Sequence, residues 1–158
     1  MKQRSSLSVL AGFFIIIGTA IILENYSLIT GAIKLWPLLP LTVGAGFMML
    51  FFETRPDPAL LWIGSFLILL SILFYGLNCT SWSKLSTLWP IFLGIIGLSF
   101  LITNIFVKNV IFLYLAILFI ALFLTFYFIF AVSLKMWPIS LVIFGISLLF
   151  INFNLRRK

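Results

Sequence analysis

The sequence predicts an all-α integral membrane protein that crosses the bilayer six times, as three helical hairpins in tandem. The prediction rests on an apolar composition, on six apolar segments and on a motif that occurs three times. Of the 158 residues, 64% are hydrophobic and only 8% are charged, whereas a soluble domain carries about 25% charged residues. Such a chain has too few polar side chains to cover a water-exposed surface and is too apolar to be disordered. Both of these classes are therefore excluded.

Six apolar segments have the length and composition of membrane spans. A span needs about 20 apolar residues, and none of the six segments has a charged residue in its interior. They lie at 7–23, 36–52, 59–77, 89–107, 110–132 and 137–154. Pro56 and Pro58 bias the residues before them away from a helix, and Lys108 with Asn109 separates the fourth segment from the fifth. We expect a tight loop at the break from Thr54 to Pro58.

The first segment has one alternative interpretation. Lys2 and Arg4 precede its apolar run, as in a signal peptide. However, the run continues to Leu23 without a clean cleavage site of small residues. Because the segment also belongs to the repeat described below, we favour a retained membrane helix.

The distribution of basic residues predicts the orientation. Cytoplasmic loops of membrane proteins carry an excess of Lys and Arg. With the N-terminus inside, seven basic residues fall on the inner side and three on the outer side. The inner residues are Lys2, Arg4, Arg55, Lys108, Arg156, Arg157 and Lys158, and the outer ones are Lys34, Lys84 and Lys135. We expect both termini in the cytoplasm, which agrees with an even number of spans.

The dipeptide Trp-Pro occurs three times, at separations of 53 and 48 residues. A glycine follows each proline by seven residues, and a small residue follows that glycine by two. The copies are Trp36-Pro37 with Gly44 and Gly46, Trp89-Pro90 with Gly97 and Ser99, and Trp137-Pro138 with Gly145 and Ser147. The repeat predicts a single transmembrane domain over 1–158, with hairpins at about 7–53, 59–107 and 110–154.

Each part of the motif suits a helix that re-enters the bilayer from outside. Tryptophan prefers the membrane–water interface, and proline suits a first helical turn, where its missing N–H has no intrahelical partner. The glycine lies about 10 Å deeper and lets two helix backbones approach closely. The small residue two positions later lies about 200° around the helix, so we expect close neighbours on two sides. We further expect the second, fourth and sixth segments to pack inside and the other three to cover them.

Trp-Pro, six apolar residues and glycine after a hydrophobic helix resemble the LiaI–LiaF-like transmembrane region of bacterial membrane proteins. The resemblance covers nearly the whole chain as three copies of the hairpin. It implies membrane hairpins in a bacterial plasma membrane, and in that family such hairpins anchor regulators of the cell-envelope stress response. Those regulators join the region to a soluble domain, whereas this sequence ends at Lys158. The resemblance therefore implies architecture and location more than a signalling role.

The sequence lacks the residues that most catalytic and metal sites use. It has no His, one Cys (Cys79) and three acids, Glu24, Glu53 and Asp57. Zinc and haem sites and a disulfide framework are therefore disfavoured, and acid–base catalysis usually needs His or paired carboxylates. Glu53 and Asp57 flank a short inner loop, which favours a solvated turn. We expect no enzymatic activity, no catalytic residues, no metal and no cofactor.

Charge also bears on partners and transport. The net charge of +7 follows from the basic inner loops, so nucleic-acid binding is not expected. Ion-coupled carriers place ionisable residues inside the membrane, and here no such residue lies at mid-depth. Asn104 and Asn152 lie near the inner ends of two segments, where hydrogen bonds between helices explain them better than a substrate site.

Two hypotheses remain for the function. The first is a non-enzymatic scaffold, accessory subunit or envelope-stress component. It would act through lipid contacts and through a membrane-protein partner or further copies of itself. The second is a small transporter or channel for an uncharged or amphipathic solute. A water-accessible cavity between the repeats favours transport, whereas a centre closed by glycine contacts favours a scaffold.

Overall fold

A computed structural model of the chain describes residues 3–27, 31–53, 57–133, 135 and 137–156. Seven α-helices, and no strand, are found among these residues. They are α1 (Gln3–Asn25), α2 (Leu38–Glu53), α3 (Pro58–Cys79), α4 (Leu85–Leu88), α5 (Ile91–Val107), α6 (Val110–Tyr127) and α7 (Trp137–Arg156). Short 3-10 turns occupy Ala32–Leu35 and Trp82–Lys84, and a π-helical turn occupies Phe128–Val132. The all-α prediction is confirmed for the described part of the chain.

Side-chain caps begin the helices that follow the two polar breaks. The Asp57 carboxylate accepts a hydrogen bond from the backbone N–H of Ala59 at 2.9 Å, and Pro58 occupies the first turn of α3. The amide oxygen of Asn109 accepts from the backbone N–H of Ile111 at 3.0 Å. Such caps satisfy one of the amides that a helix start leaves without a partner. Residues 54–56 of the first break lie outside the described residues.

Fewer helices than the predicted six are long and apolar enough to cross a membrane. Among the described residues, two helices meet both requirements, Pro58–Cys79 and Val110–Phe130. A third does if Trp82–Leu88 and Ile91–Val107, bent by 72°, form one span. The segments Phe14–Asn25, Leu38–Glu53 and Trp137–Phe153 are apolar but shorter. A 16-residue helix such as α2 is about 24 Å long, against a hydrocarbon thickness of about 30 Å.

Contacts divide the chain into two compact units, Met1–Trp82 and Ser83–Lys158. The boundary falls inside the second predicted hairpin, at 59–107. In the first unit α2 packs along α3, and α1 contacts α2 and the turn Ala32–Leu35 less extensively. In the second unit α5 packs along α6, and α7 contacts α6. Each unit is therefore built on one close pair, which joins a Trp-Pro helix to the helix that follows it.

The capping bonds predict a modest loss of stability when either cap is removed. We expect Asp57→Ala and Asn109→Ala each to lower the free energy of unfolding by about 1 kcal/mol, because each leaves a helix-terminal amide without its partner. Denaturant unfolding in detergent micelles measures the loss. Asp57→Asn and Asn109→Asp serve as controls, since both keep a side-chain acceptor. An equal loss in these controls would show that the bonds do not cap the helices.

Candidate functional site

All three Trp-Pro dipeptides lie where a helix begins. Trp36-Pro37 directly precedes α2, Trp89-Pro90 directly precedes α5, and Trp137-Pro138 opens α7. Pro37 and Pro90 are buried, whereas Pro138 is exposed. The motif thus marks helix starts in all three copies, but its surroundings differ in the third.

Gly44 lies at the closest approach of α2 and α3. A Cβ atom placed on Gly44 would lie 2.7 Å from the carbonyl oxygen of Gly64, and one on Gly64 would lie 2.9 Å from the carbonyl oxygen of Gly44. Real Cβ atoms essentially never come within 3.0 Å of such neighbours. Met48 also packs on Gly64, because its Cγ lies 2.8 Å from the Cβ atom placed on Gly64. Two glycines facing each other therefore allow the two backbones to touch.

Gly97 has the same role between α5 and α6. A Cβ atom at Gly97 would lie 2.8 Å from Cγ1 of Ile120 and 3.2 Å from Cβ of Phe119. Ala116, which is fully buried, is the seventh residue of α6, as Gly64 is the seventh residue of α3. The second pair thus has a buried alanine at the helical position that Gly64 holds in the first.

The tryptophans of the first two copies pack against the neighbouring helix at the end of the pair where their own helix begins. The ring of Trp36 lies 5.0 Å from that of Phe74, and the ring of Trp89 lies 5.3 Å from that of Phe126. Phe74 and Phe126 each occupy the seventeenth position of their helix, counted from its start. A second aromatic residue joins each cluster, Trp82 at 5.9 Å from Trp36 in one and Phe130 at 5.4 Å from Trp89 in the other. Aromatic pairs at these distances add stability beyond their buried area.

Polar bonds reinforce the first pair. The Ser71 hydroxyl donates to the carbonyl oxygen of Pro37 at 2.5 Å, and the Asn78 amide donates to the carbonyl oxygen of Lys34 at 3.1 Å. The indole N–H of Trp82 donates in turn to the Asn78 amide oxygen at 2.9 Å. Phe123 occupies the position in α6 that Ser71 occupies in α3. Its ring carbons lie 3.1–3.3 Å from a Cβ atom placed on Gly94. The second pair therefore uses aromatic packing where the first uses hydrogen bonds.

The small residue two positions after each glycine has different surroundings in the three copies. Ser99 is fully buried and donates to the carbonyl oxygen of Ile95 at 2.8 Å, while Gly46 is half-buried. Ser147 is half-buried and, with Ile143 and residues of α6, lines an open apolar groove of about 310 Å³. In α7, this side of the helix therefore faces the preceding helix.

The third glycine has no close neighbour. Among the described residues, no atom beyond its own helix backbone and chain neighbours lies within 4 Å of a Cβ position on Gly145. Trp137 is 58% exposed.

The nearest atoms to Gly44 and Gly97 belong to α3 and α6. This differs from the expectation that the Trp-Pro helices pack on one another. The short connections that follow α2 and α5 explain this, because they hold consecutive helices side by side.

Sequence reasoning missed the residues of α3 and α6 that occupy matching positions in the two pairs. Gly64, Ala116, Phe74 and Phe126 do not belong to the Trp-Pro motif, and aligning the hairpins on that motif does not align them. Counting from the starts of α3 and α6 aligns them at positions seven and seventeen. This count is the signal that would have identified them.

The described residues contain little reactive chemistry. No group of three or more His, Cys, Asp or Glu side chains among them is arranged to hold a metal ion. The Asp57 carboxylate caps α3, and the Glu24 carboxylate accepts from the backbone N–H of Gly31 at 2.8 Å. Cys79 is an exposed free thiol at the end of α3. The arrangement is suited to holding helices together.

No family model matches the chain, and comparisons with curated proteins and with solved structures find no match either.

The glycine contacts predict which substitutions the helix pairs tolerate. We expect Gly44→Leu and Gly97→Leu to lower the free energy of unfolding in monodisperse detergent solution by about 1–3 kcal/mol or more, because a larger side chain forces the backbones apart. Gly145→Leu and Gly76→Leu are matched controls, since a Cβ at either position meets no described atom of another element within 4 Å. Thermal or denaturant unfolding measures the difference. Equal effects at all four glycines would contradict close packing at Gly44 and Gly97.

Proposed function

We propose that the chain is a multi-pass protein of the bacterial plasma membrane that acts as a non-enzymatic scaffold or accessory subunit. In this proposal all six apolar segments cross the bilayer as three hairpins, with both termini in the cytoplasm. The observation that carries it is the glycine-centred helix pair, which is built twice from the same motif. Close backbone contact is the usual means by which helices associate in lipid.

The short helices are compatible with six spans. The 16-residue α2 is preceded by Trp36-Pro37. A tryptophan at the membrane interface adds to the thickness of bilayer that such a segment can span. A span shorter than the hydrocarbon layer is accommodated by local thinning or by long flanking side chains, each at modest cost. Lys34 and Lys135 are exposed, two residues before their tryptophans, and their side chains have the length to reach headgroups.

Exposed apolar side chains support a protein that meets lipid or other helices along its sides. Ile15 and Ile16 of α1, and Leu141 of α7, are 65–69% exposed. In water such a surface would promote aggregation, whereas in a bilayer it contacts acyl chains or a partner helix. We extend the same proposal to an envelope-stress component, on the strength of the resemblance to LiaI–LiaF-like hairpins.

One observation favours the second candidate, a transporter for an uncharged or amphipathic solute. The groove between α6 and α7 has a volume of about 310 Å³ and is lined mainly by Ile, Ala and Leu side chains. Such a lining suits an acyl chain better than a hydrated ion. Because the groove is open, it also suits a bound lipid that does not move across the membrane.

Topology provides the first test of the proposed architecture. Cys79 is exposed at the end of α3, which the proposal places on the outer side. We expect a membrane-impermeant maleimide to label Cys79 in intact spheroplasts. The control is Asn109→Cys in a Cys79→Ser chain, which should react only after the membrane is permeabilised. Labelling of both sites, or of Asn109→Cys alone, in intact spheroplasts would contradict the orientation.

Affinity capture separates the two candidate functions. We expect the tagged protein, extracted from native membranes in mild detergent, to retain a membrane-protein partner or further copies of itself in fixed stoichiometry. The Gly44→Leu variant, in which α2 and α3 are forced apart, serves as the control with disturbed helix pairing. A protein that purifies as a monomer and moves solute across liposome membranes would instead establish transport.

A further inference from the structure

A short helix lies across one end of the α5–α6 pair. The element Trp82–Leu88 is bent by 72° from Ile91–Val107. A two-residue turn joins α5 to α6, and the contact of the Trp89 ring with Phe126 shows that the start of α5 lies beside the end of α6. At this end α4 contacts the π-helical turn Phe128–Val132. The helix α4 therefore packs on the end of the pair and does not extend it.

Pro90 accounts for the bend. A proline has no N–H, so it cannot donate the helical hydrogen bond to the carbonyl of Ser86, four residues earlier, and its ring crowds that carbonyl. The Trp89 ring packs on Phe126 and Phe130, which holds the corner against the end of α6. The direction of residues 83–88 is therefore set by the sequence and fixed by packing.

The length of α6 sets the depth at which α4 lies in the proposed membrane arrangement. Val110–Phe130 has 21 residues and is apolar enough to cross a membrane. At 1.5 Å per residue it is about 31 Å long, which matches a hydrocarbon layer of about 30 Å. With Asn109 at one boundary of this layer, the π-helical turn lies at the other. Because α4 contacts this turn, it lies at the same boundary.

Residues 83–88, which we call the surface segment, have an apolar side and a polar side. Leu85 and Leu88 are half-buried, and residues three positions apart lie on one side of a helix. The other four residues are all polar and all exposed, namely Ser83, Lys84, Ser86 and Thr87. The segment thus keeps its leucines partly covered and its polar groups open.

The charge of Lys84 determines what can surround the polar side. An ammonium group is costly to place in hydrocarbon or against apolar helices. Lys135, which follows α6 at the same end of the pair, is exposed as well. Lipid phosphates offer the opposite charge at the boundary of the hydrocarbon layer, and a lysine side chain is long enough to reach them while its stem stays on apolar surface. The phosphate layer therefore fits the polar side best.

We propose that the surface segment lies flat on the membrane, in the layer of lipid phosphates, with the Lys84 ammonium group paired to a phosphate. The proposal deepens the proposed membrane function, on which it rests, by assigning one element to the lipid headgroups. An amphipathic helix in the plane of the interface keeps its apolar side inward and its polar side toward the headgroups. Here the apolar side rests on the end of the α5–α6 pair.

Depth measurements with spin labels test the proposal. Labels are placed by Ser83→Cys and Thr87→Cys in Cys79→Ser chains, in vesicles of phosphatidylcholine and phosphatidylglycerol. Collisions with oxygen and with a neutral, water-soluble nickel chelate report the depth. At 72° to α5, the segment rises about 0.5 Å per residue, so we expect both labels at the phosphates, within about 2 Å of one depth. A straight continuation of α5 would separate them by about 6 Å.

A charge reversal tests the phosphate contact. We expect Lys84→Glu to raise the nickel collision rate of the Thr87→Cys label about twofold, because repulsion from the phosphates moves the segment toward water. Lys84→Arg keeps the charge and should leave the rate unchanged. Lys108→Glu, the same reversal at the other end of the α5–α6 pair, is the matched control and should also leave it unchanged.

Three results would overturn the proposal. They are a 6 Å separation of the two depths, labels that neither oxygen nor the nickel chelate reaches because protein covers the segment, and equal effects of the reversals at Lys84 and Lys108. A label at Leu98→Cys, which is 43% exposed near the middle of α5, tests the membrane function separately. If this label reports hydrocarbon while the others report water, only the surface contact fails. If it also reports water, the proposed membrane function fails as well.

Discussion

The contact between the Gly44 and Gly64 backbones is the constraint on which the first unit depends. In lipid, apolar side chains gain little by leaving one apolar surrounding for another, so helices associate through close fit and hydrogen bonds. The facing glycines let α2 and α3 approach until each carbonyl oxygen occupies the space of the other's absent Cβ. The Ser71 and Asn78 hydrogen bonds and the Trp36 ring contacts then fall into register along the same pair. All of these contacts require the approach that glycine permits.

The two units solve the same packing problem with different chemistry. In the first, hydroxyl and amide donors bind backbone carbonyls just before the start of α2. In the second, Phe123 fills the space over Gly94, and Phe126 and Phe130 surround Trp89. Hydrogen bonds fix direction, whereas aromatic packing fills volume and tolerates small rotations. The repeated elements are therefore the backbone approach and the tryptophan at the helix start, and the side chains between them vary.

The sequence was sufficient to predict the helical class, the helix starts at Trp-Pro and the two polar breaks. These are local properties, since proline, asparagine and aspartate act within one helical turn. The partners of Gly44 and Gly97 were not predicted, because which helix lies beside a glycine depends on the connections and on shape. Ala116 shows the difficulty: one alanine in an apolar segment has no distinguishing pattern, yet it is fully buried. The count of spans also depends on helix ends, which composition does not determine.

The turn between α5 and α6 has a consequence for how the second unit folds. Only Lys108 and Asn109 separate the two helices, with Lys108 in a left-handed conformation (φ 53°) that ends α5 and Asn109 capping α6. A connection this short leaves neither helix free to move far from the other, so the entropy lost in bringing them together is small. The close contact at Gly97 and the Trp89 ring contacts can then form as soon as a two-residue turn has closed.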